Sequence, residues 1–118
     1  MFVYFFIEHI GLSLEPLIGA IAAGNVVLLK PSDQAPASSS VLAKIIPNYL
    51  DNKAIKVIEG DYTVGDKLLQ QKWDKIFFTG SNLNLQDLFF FLYVLHKIHD
   101  TTRKTPLEVI NRHINKEY

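Results

Sequence analysis

Two short polar segments carry the residue types best suited to binding a charged ligand. Lys30 and Asp33 belong to the first, Lys-Pro-Ser-Asp at residues 30–33, which follows an apolar run. Gly80 and Ser81 belong to the second, which follows another apolar run. A cation or carboxylate can bind the ribose hydroxyls of a dinucleotide, and backbone N–H groups can bind its pyrophosphate. The two segments together favour a nucleotide site.

Each segment also has a purely structural interpretation. Taken alone, Lys-Pro-Ser-Asp is typical of a helix N-cap preceded by a solvated lysine. Taken alone, Gly-Ser after a strand is typical of a turn. Both interpretations stay open for either segment considered by itself.

Apolar spacing predicts the elements that position the two segments. A helix is expected over residues 14–22, with Ser13 as its N-cap and Gly24 at its end. Ser32 or Asp33 is expected to cap a second helix, which Pro47 should kink or end early. A short third helix is expected around residues 64–69. Strands are expected at residues 26–29, 54–59 and 75–79.

The predicted fold class is α/β. The expected architecture is a partial doubly wound (Rossmann-like) parallel sheet, β-α-β-α-β, preceded by a helix and followed by a helical tail. Ligands of such sheets bind beyond the carboxyl ends of the strands, which is where both polar segments lie.

The tail begins after Ser81 and contains no catalytic constellation. Leu88 to Ile98 is expected to form an amphipathic helix, because its apolar residues are dense and bounded by polar ones. His96 and His99 have a spacing that two metal ligands could use, but no third ligand stands at a firm spacing. Solvated or partly packed histidines are the favoured interpretation, so no metal site is assigned.

Composition excludes several classes of function. With 118 residues, 48% of them hydrophobic and 20% charged, the chain belongs to the globular class. Twelve basic and twelve acidic residues cancel, which argues against nucleic acid as a partner. No cysteine is present, so disulfides and thiolate metal sites are excluded. The apolar runs resemble neither a signal peptide nor a membrane span, and the expected location is cytoplasmic.

Longer stretches of the sequence resemble one known family. In this order and spacing, residues 16–25, 26–33 and 77–81 resemble the aldehyde dehydrogenase superfamily. Gly-Leu-Ser-Leu-Glu at 11–15 and Gln-Lys-Trp-Asp-Lys-Ile at 71–76 are most similar to its class 3 branch. The resemblance divides the chain into a divergent N-terminal segment at 1–10, a partial NAD(P)-binding domain at 11–81 and a non-matching tail at 82–118.

The resemblance implies roles for the polar segments. Lys30 and Asp33 fall where the family contacts the adenosine ribose of NAD or NADP, and Gly80 and Ser81 fall where it faces the phosphates. A carboxylate at position 33 repels a 2′-phosphate, which leans towards NAD. Leu85 stands where the family has a glycine that lets a helix pack closely on the sheet.

The resemblance also shows what the chain lacks. Intact relatives oxidise aldehydes to acids through a cysteine thiolate, with a glutamate that activates water. This chain has no cysteine, no matching glutamate segment follows Ser81, and Ile7 holds the place of the oxyanion-stabilising asparagine. No catalytic residue is assigned, and we expect a truncated, inactive member of the family. The alternatives are a non-catalytic nucleotide-binding module, or a fragment that associates with a full-length subunit through open sheet edges.

Overall fold

The computed structural model describes residues 2–71, 73–79 and 91–97 and shows an α/β arrangement. The elements, in chain order, are α1 (Phe2–Ala22), β1 (Asn25–Lys30), α2 (Pro36–Tyr49), β2 (Ile55–Val57), α3 (Tyr62–Leu69), β3 (Lys75–Thr79) and β4 (Phe91–Lys97). The predicted fold class is confirmed, and so is the order of a helix followed by β-α-β-α-β.

The four described strands form one sheet in the order β2-β1-β4-β3. β1 and β2 are parallel, with Val27 opposite Ile55. β4 is antiparallel both to β1 and to β3. The strands β1, β2 and β3 therefore run in one direction, as predicted, and β4 alone runs against them.

The helix predicted over Leu88 to Ile98 is wrong for the part that the structure describes. That part is the strand β4, Phe91–Lys97. Its sequence, Phe-Leu-Tyr-Val-Leu-His-Lys, is rich in aromatic and branched residues, which fit a pleated sheet better than a helix. Hydrogen bonding to a strand on each side then outweighs the helical spacing of the apolar residues.

Strand β1 is the centre of the hydrophobic core because both of its faces are covered. Val27 and Leu29 pack on one face, with α1 and α2, in a cluster that also holds Leu17, Ala20, Leu42, Ile46 and Ile55. Val26 and Leu28 pack on the other face, against Leu68 of α3. This alternation confirms that the continuous apolar run at residues 26–29 is a strand buried on both sides.

Helix α1 begins earlier than the sequence predicted. Ser13 does not cap it, since the helix extends back to Phe2 and Ser13 is fully buried within it. Gly11 precedes Ser13, but one interior glycine costs a helix only about 1 kcal/mol. The predicted end of the helix is confirmed, because α1 ends at Ala22 and Gly24, two residues later, adopts φ +72°.

The start of α2 also differs from the prediction. Its N-cap is Ala35, which makes no side-chain cap hydrogen bond, and Pro36 occupies the first turn. Ser32 instead closes the preceding turn, where its Oγ accepts a hydrogen bond from the Gln34 N–H (3.2 Å). Pro47 lies in the last turn, and the helix ends at Tyr49.

Among the described residues, no helix combines the length and apolarity needed to cross a bilayer, α1 included.

Gly60 connects β2 to α3 at a point with no room for a side chain. Its φ is +158°, and an added Cβ would lie 2.5 Å from Cγ2 of Val64 and 2.8 Å from its Cβ. Gly19 lies on the exposed face of α1, and a Cβ added there meets nothing within 4 Å. These two glycines form a matched pair for substitution.

We expect Gly60→Ala to lower the free energy of unfolding by roughly 1–3 kcal/mol, because Val64 or the backbone must move. Gly19→Ala should raise it by about 0.5–1 kcal/mol, since alanine is the better helix former. Urea denaturation followed by circular dichroism measures both. Equal effects of the two substitutions would contradict the close approach at Gly60.

Candidate functional site

The candidate site lies at the carboxyl edge of the parallel pair β1 and β2. Leu29 is opposite Val57 near the ends of these strands, and the Ile58 N–H donates to the Leu29 carbonyl (2.9 Å). Residues 30–33 and 58–61 therefore leave the sheet side by side. The structure thus places the first predicted polar segment at the edge where open α/β sheets bind ligands.

Lys30 is the last residue of β1, and its side chain is fully buried. Its Nζ donates a hydrogen bond to the Pro31 carbonyl (3.3 Å). Burial lowers the pKa of Lys30 from its usual value of 10.5, and the negative charges of Asp33 and Asp61 oppose that shift. The alternative of a solvated lysine beside a helix N-cap is wrong on both counts, because Lys30 is buried and Ala35 is the cap.

Asp33 lies in the turn that follows β1 and is partly buried. Its Oδ1 is shielded from solvent and has no hydrogen-bond partner among the described residues. Buried carboxylate oxygens are normally hydrogen-bonded, so such an acceptor is unusual. It is suited to a donor that a ligand would bring.

Asp61 is a third charged group at this edge, and the sequence reasoning missed it. It is the N-cap of α3, and its Oδ1 accepts hydrogen bonds from the N–H groups of Thr63 (3.0 Å) and Val64 (3.4 Å). The hydroxyl of Thr63 also donates to this oxygen (2.5 Å). The sequence signal was Gly60-Asp61 directly after the second strand, since a parallel neighbour ends at the same edge.

The hydrogen bonds around Asp61 lower the pKa of its carboxyl group. The Thr63 hydroxyl is the largest cause, and the two backbone N–H groups and the charge of Lys30 add to it. Desolvation opposes them. Because Lys30 and Asp61 interact, the ends of β1 and β2 are electrostatically coupled.

Small residues support the turn that carries Asp33. A crevice behind the turn is lined by residues from α1, the turn and α2: Ser13, Pro31, Ser32, Ala35, Ser38, Ser39 and Leu42. The four serines are buried. Their small side chains allow α1 and α2 to approach the turn closely, which fixes the position of residues 31–35 on the core.

The second predicted segment lies outside the described residues, and so does Leu85. Gly80 and Ser81 follow directly after β3, whose last residue is Thr79. His96 lies in β4, whereas His99 is outside the described residues. Within the described part of the chain, no three histidine or acidic side chains come together as a metal site would require. The structure therefore places Lys30, Asp33 and Asp61 near enough for their charges to interact. The role of Gly80 and Ser81 remains a prediction.

Comparison with known proteins identifies the family to which this segment is related. The family model described as "Aldehyde dehydrogenase family" matches residues 10–86. The chain belongs to the aldehyde dehydrogenase family. The resemblance found in the sequence is thereby confirmed. No solved structure matches the chain.

Three relatives show how much of the family the chain spans. Aldehyde dehydrogenase family 3 member F1 of Arabidopsis thaliana is 69% identical over 72 residues, which are 61% of this chain and 15% of that protein. Family 3 member I1, chloroplastic, from the same plant is 67% identical over 69 residues, or 58% of this chain and 12% of that protein. Family 3 member B1 of Mus musculus is 49% identical over 72 residues, which are 61% of this chain and 15% of that protein. The chain thus spans 12–15% of the length of these relatives.

Burial of Lys30 gives the stability of this family member a specific pH dependence. The unfolded chain holds the lysine proton up to the usual pKa, whereas the folded chain releases it at lower pH. Between those two values the unfolded state binds more protons, so the free energy of unfolding rises with pH. We expect this rise in the wild type and its loss in Lys30→Met, measured by urea denaturation at a series of alkaline pH values. Lys44→Met, on the exposed surface of α2, controls for the loss of a lysine. If the free energy of unfolding changed with pH equally in the wild type and in Lys30→Met, a contribution of Lys30 to the pH dependence would be excluded.

The cap at Asp61 predicts a pH dependence of the same sign, but in the acidic range. A carboxyl group with a lowered pKa stabilises the fold above its usual pKa of 3.8 and loses that effect as the pH falls through the lowered value. We expect Asp61→Ala to lower the thermal midpoint at neutral pH, and the difference from wild type to shrink on acidification. Asp61→Asn keeps the acceptor oxygen and should retain most of the cap. An alanine variant as stable as wild type at neutral pH would show that the cap contributes nothing.

Proposed function

We propose that these residues supply the adenosine-ribose side of the NAD(P) site of an aldehyde dehydrogenase and do not oxidise aldehydes by themselves. The observation that carries this proposal is the buried Oδ1 of Asp33, which has no hydrogen-bond partner among the described residues. It lies beyond the carboxyl end of β1, where doubly wound sheets bind dinucleotides. Family membership supplies the class of ligand.

The residues at this edge fit a ribose chemically. The two hydroxyls of an adenosine ribose are donors, and Asp33 offers an acceptor that is already shielded from water. The charge of Lys30 interacts with Asp33, and hydrogen bonds to charged acceptors are stronger than those between neutral groups. The site would therefore orient the adenosine end of the cofactor without a large rearrangement.

Asp33 also favours NAD over NADP under this proposal. A 2′-phosphate would bring its negative charge against the Asp33 carboxylate and against Asp61 nearby. The single positive charge of Lys30 interacts with both carboxylates, so the net charge of these three groups is negative. NADP should therefore bind more weakly than NAD.

The proposed lack of activity rests on the absence of cysteine from the chain. A bound nicotinamide ring accepts a hydride from a covalent adduct of the aldehyde, and the family forms that adduct on a cysteine. The groups described at the carboxyl edge are a buried ammonium and two carboxylates, which bind and orient but are not thiolate nucleophiles.

Titration calorimetry with NAD tests the binding part of the proposal. We expect Asp33→Asn to weaken NAD binding by roughly tenfold or more, because a hydrogen bond to a charged group is worth about 1.5–3 kcal/mol. The same substitution should reduce the difference in affinity between NAD and NADP. Asp51→Asn is the matched control, because Asp51 lies before β2, at the opposite edge of the sheet. Equal affinities of the wild type and Asp33→Asn would refute the ribose role.

A second assay tests catalysis separately. The chain is mixed with NAD and a series of aliphatic and aromatic aldehydes, and formation of reduced cofactor is followed by absorbance. We expect none above the rate without protein. Turnover that scales with the concentration of this chain would contradict the proposed inactivity while leaving the binding site untouched.

Association with a full-length family subunit is a second candidate function. It is favoured by three consecutive exposed apolar residues of β3, Ile76, Phe77 and Phe78. Apolar residues exposed near a sheet edge promote pairing with other chains. Size-exclusion chromatography with a purified family 3 enzyme tests this, and separate elution at micromolar concentration would exclude it. The cytoplasmic location likewise remains a proposal, because one relative is named as chloroplastic.

A further inference from the structure

The three strands inside the family segment leave a gap in their own sheet. α1 and α2 pack on one face of β1, while α3 packs on the other. The chain therefore moves from β1 outward to β2 and then returns past β1 to β3. In doubly wound sheets of the order 3-2-1-4-5-6, the central strand 1 is parallel to its neighbours and lies between strands 2 and 4, beside the switch point. β1 and β3 flank that position here.

Strand β4 fills this position in the reverse direction. It pairs along the whole of β1, from Asn25 opposite Lys97 to Lys30 opposite Leu92. It also pairs along the whole of β3, from Lys75 opposite Leu95 to Thr79 opposite Phe91. No other described strand pairs with β3. Residues 91–97 lie outside the segment that matches the family, residues 10–86.

We propose that Phe91–Lys97 is an internal substitute for the central strand of the doubly wound sheet. Its role is to make the family segment a continuous folded sheet. The Val27 N–H donates to the Ala54 carbonyl beside β2 (2.8 Å). Because successive N–H groups of a strand point to opposite sides, those of Val26 and Leu28 point towards β4. Both residues are buried, and buried N–H groups must be paired.

The reversed direction of β4 changes which strand ends lie at the carboxyl edge of the sheet. Thr79 and Lys30 end their strands at this edge, and Phe91 and Leu92 begin β4 there. A parallel central strand would contribute its carboxyl end at that point instead. The carboxyl edge between β1 and β3 therefore carries the amino end of β4, where a parallel strand would have placed its carboxyl end. This inference concerns the sheet alone and does not depend on cofactor binding.

Disulfide trapping tests the position and register of β4. The chain has no cysteine, so a double variant contains only the designed pair. Ile76 and Val94 are directly opposite, and facing antiparallel residues have Cα atoms about 4.5–5.5 Å apart, within disulfide range. Ile76→Cys with Val94→Cys should form a disulfide within one chain on mild oxidation. Phe77→Cys with Val94→Cys is the control, since a one-residue shift puts the two cysteines on opposite faces.

Gel mobility and mass spectrometry distinguish the outcomes of trapping. A monomer with the Ile76–Val94 pair linked and the control pair free supports the proposal. Equal oxidation of both pairs, oxidation of neither, or links between two copies would overturn it. A link between copies would mean that β4 completes the sheet of a second chain.

Amide hydrogen exchange by NMR gives a second, independent test in the unmodified full chain. The Leu28 amide should exchange as slowly as the Val27 amide, on the order of 100-fold or more below an unprotected amide. Val94→Pro removes an N–H from the centre of β4, and it should accelerate Leu28 exchange at least about tenfold relative to Val94→Thr. Fast exchange of Leu28 in the wild type, or equal exchange in the two variants, would overturn the proposal.

Discussion

Burial of β1 on both of its faces is the constraint on which the rest of the structure depends. Val27 and Leu29 are fully buried on the side of α1 and α2, and Val26 and Leu28 are nearly so on the side of α3. The backbone N–H and C=O groups of such a buried strand must be hydrogen-bonded, so the strand needs partners along both edges. β2 covers one edge through parallel pairing, and β4 covers the other. Helices on both faces and strands on both edges are thus consequences of one apolar run.

The same burial shapes the chemistry at the carboxyl edge. Lys30 ends the buried strand, so its ammonium group is held where water is scarce and its pKa is lowered. Asp33 and Asp61 offset part of that cost with their charges. A buried cation that interacts with two carboxylates contributes little to stability compared with an apolar residue of similar size. A buried lysine at the carboxyl edge agrees with the proposed binding role, since functional sites commonly cost stability.

Family membership and sheet completion involve different parts of this chain. The family segment contains β1, β2 and β3, together with the polar groups that leave their carboxyl ends. The strand that joins β1 to β3 lies outside that segment. Relatives that are about four to five times as long as this chain have many further residues available for the same position. This chain uses a segment of aromatic and branched residues, whose backbone pairs with both neighbours.

By itself, the sequence determined the elements whose signals are local. The apolar run at residues 26–29, the strand at 75–79, the Gly24 stop and the family resemblance depend on residue type and short spacing, and each is confirmed. The position of Lys30 and Asp33 at the carboxyl edge also followed, because parallel strands end at one edge. Tertiary structure alone decided the rest. Ser13 became an interior helix residue, Asp61 joined the site through the pairing of β1 with β2, and residues 91–97 became a strand. For Asp61 and for residues 91–97 the deciding contacts join strands far apart in the chain, which the spacing of near neighbours does not encode.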